Sequence, residues 1–74
     1  MFMYLQPGEV FEHLHNDQSI TMLVEGKVDL ESGGTRAELV VGLPTPVDAN
    51  MPHRLINVGT QPAMVKCVHV RIDH

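Results

Sequence analysis

The chain has 74 residues, 43% of them apolar, and carries a net charge of −4 from five basic and nine acidic side chains, which fits one globular domain over residues 1–74. Its cations, Lys27, Arg36, Arg54, Lys66 and Arg71, are scattered, which argues against the basic face that nucleic acid or an anionic membrane surface requires. A single cysteine excludes an internal disulfide, so a domain that buries only about 60% of its unfolded surface must lean on a compact core, a metal, a second subunit or a combination.

In chain order, residues 2–5 form a first short strand, stopped by the turn dipeptide Pro7-Gly8. Residues 10–15 alternate with a period of two, so that Phe11, His13 and His15 share one face and Val10, Glu12 and Leu14 the other. The polar run 16–19 reads as a loop. Residues 20–24 are apolar and rich in β-branched side chains, a buried strand that ends at Glu25-Gly26. Residues 27–31 alternate again, with Val28 and Leu30 inward, and Ser32-Gly33-Gly34 supplies a hairpin turn to a returning strand over 35–41.

Gly42 closes that strand, and Pro44, Pro46 and Pro52 make the next stretch an edge strand or a shaped loop. Residues 53–58 form a further strand with His53, Leu55 and Asn57 on one face. After the turn 59–62, residues 63–72 are the longest β-prone run and the last strand. No stretch combines a 3.6-residue period with helix caps. The expected class is all-β, a sandwich or barrel of short antiparallel strands.

No apolar run approaches the ~20 residues of a membrane span, and the opening residues 1–5 lack the basic flank and length of a signal peptide. With one cysteine, which fits a reducing compartment, these features lead to the expectation of a cytoplasmic protein without membrane contact.

The histidines carry the chemistry. His13 and His15, two apart on a strand, offer two imidazoles to one site, and His53 would close a three-nitrogen set. Imidazole nitrogen suits several divalent transition metals. Three histidines without a carboxylate leave coordination positions open for water or substrate and keep the metal's full charge, which favours an anionic ligand. The alternative is a metal-free, pH-sensitive histidine cluster. His69, on the strand face of Val65, Cys67 and Arg71, reads as a packing or surface residue, and His74 as terminal. Cys67 reads as a buried, inert thiol that lines the cavity only if its face points inward. The methionines read as apolar fillers. Asp29, Glu31, Arg36 and Glu38 read as solvated surface, Arg54 faces away from the site, Arg71 is a weak candidate for a substrate carboxylate, and Tyr4 stands at a cavity rim or a subunit interface.

Together these residues resemble the cupin superfamily of small jelly-roll β-barrels. Gly8, His13, His15 and Gly26 fall on its first motif, G-x5-H-x-H-x3,4-E-x6-G, with Ser19 at the Glu position and a first gap one residue short. Gly42, His53 and Asn57 fall on its second, G-x5-P-x-G-x2-H-x3-N, with Asp48 for Pro and Asn50 for Gly. The 15 residues between Gly26 and Gly42 suit the short hairpin of compact members. The resemblance implies that His13, His15 and His53 ligate a divalent metal (Zn, Fe, Ni, Mn, Co or Cu) and that Asn57 is mainly structural. It leaves the fourth ligand missing, with Gln18 or Asp17 near enough in sequence to substitute and Ser19 able to hydrogen-bond a bound water. Gln18, Ser19, Thr21 and Asn57 are the residues expected around the metal or lining a substrate site.

Three functions follow as expectations. One is a metal-dependent enzyme on a small molecule, for which the resemblance implies dioxygenase, isomerase, epimerase, decarboxylase or lyase chemistry without assigning catalytic residues. Ser19, Thr21, Tyr4 and Asp17 are its only helpers. The second is a non-catalytic module that binds or senses a metal or small ligand. The third is a metal-free domain whose role is dimerisation, since exposed sheet edges on so small a barrel favour a homodimer.

Overall fold

A computed structural model describes residues 2–13, 18–47 and 52–70. Among the described residues, eight strands follow in chain order: β1 (Phe2–Leu5), β2 (Val10–His13), β3 (Gln18–Glu25), β4 (Val28–Ser32), β5 (Thr35–Glu38), β6 (Thr45–Val47), β7 (His53–Asn57) and β8 (Ala63–Val70). They form two four-stranded sheets, β1-β8-β3-β6 and β2-β7-β4-β5, in which every pairing is antiparallel. The all-β jelly-roll expected from the sequence is what the chain forms. No helix among the described residues is long and apolar enough to cross a membrane.

Alternation builds the core. Val28 and Leu30 of β4 are buried, while Asp29 and Glu31 between and beyond them are half-exposed. In β7, His53, Leu55 and Asn57 all point inward. The first sheet contributes Leu5, Leu23, Val47, Ala63 and Val65 to the same interior, and Met3 and Phe11 pack against this core. Gly33 and Gly34 adopt φ of 58° and 80° between the paired residues Ser32 and Thr35. Positive φ at both central positions is the two-residue hairpin turn whose twist matches its flanking strands.

Three boundaries differ from the sequence expectation. Gln18 and Ser19 belong to β3, not to a loop. Ser19 is 1% exposed and lies between Val47 of β6 and His69 of β8, so pairing on both sides overrides its polar character. The strand expected over 35–41 stops at Glu38. Leu39 is buried and donates to Val28 O, and the Gly42 amide reaches Leu23 O on the other sheet. Val40 and Val41 are therefore the crossover between sheets, where strand pairing cannot continue. The proline-rich stretch yields β6, whose exposed Pro46 stands opposite Ile20 on an edge strand, a position that tolerates a missing N–H. Residues 14–15 and 71–72 of the expected strands lie outside the described residues.

The two ends of the barrel are built differently. At one end the Asn57 side chain is buried and fully used. Its Nδ2 donates to Leu5 O and Gln61 O, both at 2.9 Å, and its Oδ1 accepts from Gly59 N at 2.9 Å. Beside it, Gly26 has φ of 99°, and a Cβ there would stand 2.8 Å from Ala63 Cβ. The turn thus needs glycine for both its backbone conformation and its contact. Asn57→Ala strands the buried Leu5 carbonyl and leaves the part-buried Gln61 carbonyl and Gly59 amide without this partner, and a loss of about 2 kcal/mol is expected in urea denaturation. Gly26→Ala is expected to cost about 2 kcal/mol or more by the same measurement. A midpoint unchanged in either variant would show that this end does not hold the sheets together.

Candidate functional site

The other end gathers the sequence motifs. β2 ends at His13, and the chain next enters the opposite sheet at Gln18. β6 ends at Val47 and the chain returns at His53. These two of the crossings between the sheets therefore lie at the same end of the barrel. There His13 and His53 are direct cross-strand partners, and Ser32 stands beside His53 on its other flank. Directly opposed residues on antiparallel strands hold their Cβ atoms about 4.5–5.5 Å apart. This pairing brings residues 40 apart in sequence to one place.

His53 is 4% exposed, and its inward position follows from the alternation that also buries Leu55. Arg54, next in the chain, turns outward as expected. Its guanidinium lies 3.4 Å from Glu31 and 3.7 Å from Glu12, on the exposed outer face. Such exposed pairs contribute little to stability, of order 0–1 kcal/mol. Arg36 and Asp29 pair at 2.8 Å on the same side. A recess of about 320 Å³ beside these pairs is lined by Glu12, Glu31, Ser32, Pro52 and Arg54.

Across from β7, the first sheet presents a polar inner wall. Ser19 and Thr21 are each 1% exposed, and the Thr21 hydroxyl lies 3.9 Å from Cys67 Sγ. Cys67 is itself buried, 8% exposed, on the inward face of β8 with Ala63 and Val65. Cys67 is thus buried, as its apolar run suggested, and it faces inward in parity with Ala63 and Val65. Ser32 is not singled out by the sequence, although it continues the inward series of Val28 and Leu30.

The remaining expected residues separate. Asn57 stands four residues along β7 from His53, about 13 Å at ~3.3 Å per residue, and its amide is spent at the opposite end. Its structural role is the one that the motif implies; it does not reach the histidine end. Tyr4 points outward and is 68% exposed, while its neighbours Met3 and Leu5 face the core, so it does not reach the cavity. Gln18 and His69 lie in paired strands, opposite Val70 and Ser19 respectively, and their side chains, like that of His13, lie outside the described residues. His15, Asp17, Asp48, Asn50, Arg71 and His74 lie wholly outside them. Among the described residues, no three His, Cys, Asp or Glu side chains come together as a metal site.

Comparison with known proteins follows the same lines. A family model described as the cupin domain matches residues 1–69. A comparison with curated proteins finds no match. Among solved structures, TT1209 from Thermus thermophilus is 27% identical with a TM-score of 0.83, over 93% of this chain and 68% of its own. A Thermotoga maritima protein described as a predicted oxalate decarboxylase is 20% identical with a TM-score of 0.84, over 96% of this chain and 64% of its own. The Cupin_2 domain of an XRE family transcriptional regulator from Enterobacter cloacae is 15% identical with a TM-score of 0.88, over 97% of this chain and 79% of its own. The chain thus spans about two thirds of the length of the first two. With a family match that runs through both histidine motifs, and a double sheet that sets His13 against His53, the chain belongs to the cupin superfamily.

Proposed function

We propose that this cupin holds a divalent transition metal at the His53 end of its barrel, through His13, His15 and His53, and takes a small anionic molecule beside it. The observation that carries this reading is the direct pairing of His13 with His53, the latter almost fully buried. The donor set suits such a metal, because neutral imidazoles bind Zn, Fe, Ni, Co and Cu without adding charge. When bound, the metal would supply Lewis acidity and open coordination positions.

The chain's own residues do the rest. Leu55 and Leu30 lie one layer below His53 and exclude water from the floor of the site. Ser19 and Thr21, on the facing wall, offer hydroxyl groups that donate to or accept from a ligand or its water. Ser19 stands where the family motif has a carboxylate ligand, so a metal held by the three histidines would have fewer protein donors and more positions open for exchange.

This arrangement favours binding or sensing over turnover. The described acidic side chains lie on the outer surface, as Glu12, Asp29 and Glu31 do, and leave the described inner wall with hydroxyl, thiol and imidazole groups. General acid–base chemistry is most often done by a histidine or carboxylate within reach of the substrate. The cupin domain of the Enterobacter cloacae regulator fits a sensing role. The Thermotoga maritima neighbour fits a catalytic one, with oxalate as the pattern for a small anionic substrate.

Elemental analysis of tag-free protein is expected to find about one transition-metal ion per chain, lost in His53→Ala and in a His13→Ala/His15→Ala double variant. Equal metal in all three would overturn the assignment. Chelation is expected to lower the melting temperature, since the donors come from separate strands that meet only in the folded barrel. Ser19→Glu is expected to tighten metal binding about tenfold or more in competition with a chelating dye, by restoring a charged donor. An unchanged affinity would place the metal away from Ser19. Loss of a titrating anion, with oxalate as the probe, would mark turnover. A rise in melting temperature with the oxalate intact would mark a binding module.

A further inference from the structure

The register of the first sheet carries one more histidine to the His53 end. β3 and β8 pair without irregularity from Leu23 to Gln18. Along this stretch every second pair belongs to the interior. Leu23 stands opposite Val65 and Thr21 opposite Cys67, and all four are buried. The 3.9 Å approach of Thr21 Oγ1 to Cys67 Sγ marks where such opposed residues meet inside the barrel. The next pair of the same phase is Ser19 opposite His69. It lies two residues, ~6.6 Å, further along, at the end where β3 receives the chain from His13. Ser19 keeps the inward phase, since it is 1% exposed. Position 69 thus continues the phase of Val65 and Cys67, although the sequence alone reads it as a packing or surface position.

We propose that His69 stands in for the missing carboxylate and supplies a fourth imidazole to the metal held by His13, His15 and His53, which makes the site selective for zinc, copper or nickel over manganese or magnesium. This rests on the metal reading given above and adds a donor to it. The placement decides in its favour. Directly opposed residues on antiparallel strands hold their Cβ atoms about 4.5–5.5 Å apart. A side chain at position 69 therefore starts beside the point from which the motif's carboxylate would extend.

Packing and chemistry agree. A serine in place of a glutamate leaves volume unfilled, and protein interiors are close-packed, so a register neighbour takes that space. Ser19 has two such neighbours, Val47 on β6 and His69 on β8. Val47 has no donor to offer, and Gln18 is one residue out of phase with Ser19. His69 is in phase and brings a nitrogen. Four neutral imidazoles leave the metal's charge undiminished, as three do. They also change the preference among metals. Imidazole suits zinc, copper and nickel, whereas carboxylate and water suit manganese and magnesium. The exchange of a carboxylate for an imidazole at this corner thus shifts the site toward the first group.

Nitrogen-15 spectra of histidine-labelled, tag-free protein test this in the unmodified chain. When metal is stripped and one equivalent of zinc added, the ring nitrogens of His69 are expected to shift together with those of His53, each assigned by its loss in the single variant. Static His69 signals beside shifting His53 signals would overturn the fourth donor and leave the three-histidine reading standing. Static signals from both would overturn the two readings together. Affinity separates a ligand from a packing residue. In competition with a chelating dye, His69→Ala should weaken zinc binding at least about tenfold, the least that even outer partners of a metal ligand cost. In a Ser19→Glu background the same change should cost little, because the new carboxylate takes the same position. Equal losses in both backgrounds would overturn the shared position. The preference for zinc over manganese is expected to fall in Ser19→Glu/His69→Ala, and an unchanged preference would overturn the selectivity.

Discussion

One buried amide ties the two sheets together at the end of the barrel away from the histidines. Asn57 belongs to β7, yet its Nδ2 donates to the last residue of β1 in the other sheet and to the loop that leads into β8, while its Oδ1 holds Gly59. Every hydrogen-bonding group of that side chain except one lone pair is used. Burying an amide costs free energy unless its partners are all present, so this contact specifies one relative placement of β1, β7 and the 59–62 turn. The Gly8 amide and the Asn57 backbone repeat the connection, through Gly8 N to Asn57 O and Asn57 N to Glu9 O.

A tight end permits a looser one. The sheets are clamped where Asn57, Gly26 and Ala63 meet, and the core of Leu5, Leu23, Val28, Leu55 and Val65 fills the middle. The histidine end can then be lined with polar groups, because stability does not depend on packing it dry. Ser19, Thr21 and Cys67 occupy one wall and His53 the other. A fold this small can leave one end lined with polar groups only by concentrating its packing at the opposite one.

The outer faces divide the same way. The sheet that carries His13 and His53 shows a charged, ion-paired exterior, and the sheet that carries Ser19, Thr21 and Cys67 shows an apolar one. The chain's acidity is therefore not spread evenly over the surface. A scattered charge count along the sequence becomes two distinct surfaces only because strands from distant parts of the chain lie side by side.

The strand period, the turn glycines and the two histidine motifs are legible in the sequence, because each is local: alternation sets which side chains face inward, and positive φ favours glycine. Hence β1, β4, the Gly33-Gly34 turn and the inward set His53, Leu55 and Asn57 agree between sequence and structure. Ser19 reads as loop in the sequence, since its strand character comes from β6 on one side and β8 on the other. The strand over 35–41 reads too long, since its end is set by where the chain must cross to reach Leu23 of the other sheet. Cys67 can be placed on a face with Val65, but which face is inward depends on the sheet it joins. By itself the sequence determined the pattern of strands and the chemistry of their inward side chains. Only the tertiary structure decided that His13 meets His53, that Asn57 works at the opposite end, and that one outer face is apolar, because register between strands distant in sequence is fixed by the packing of two sheets rather than by any local preference.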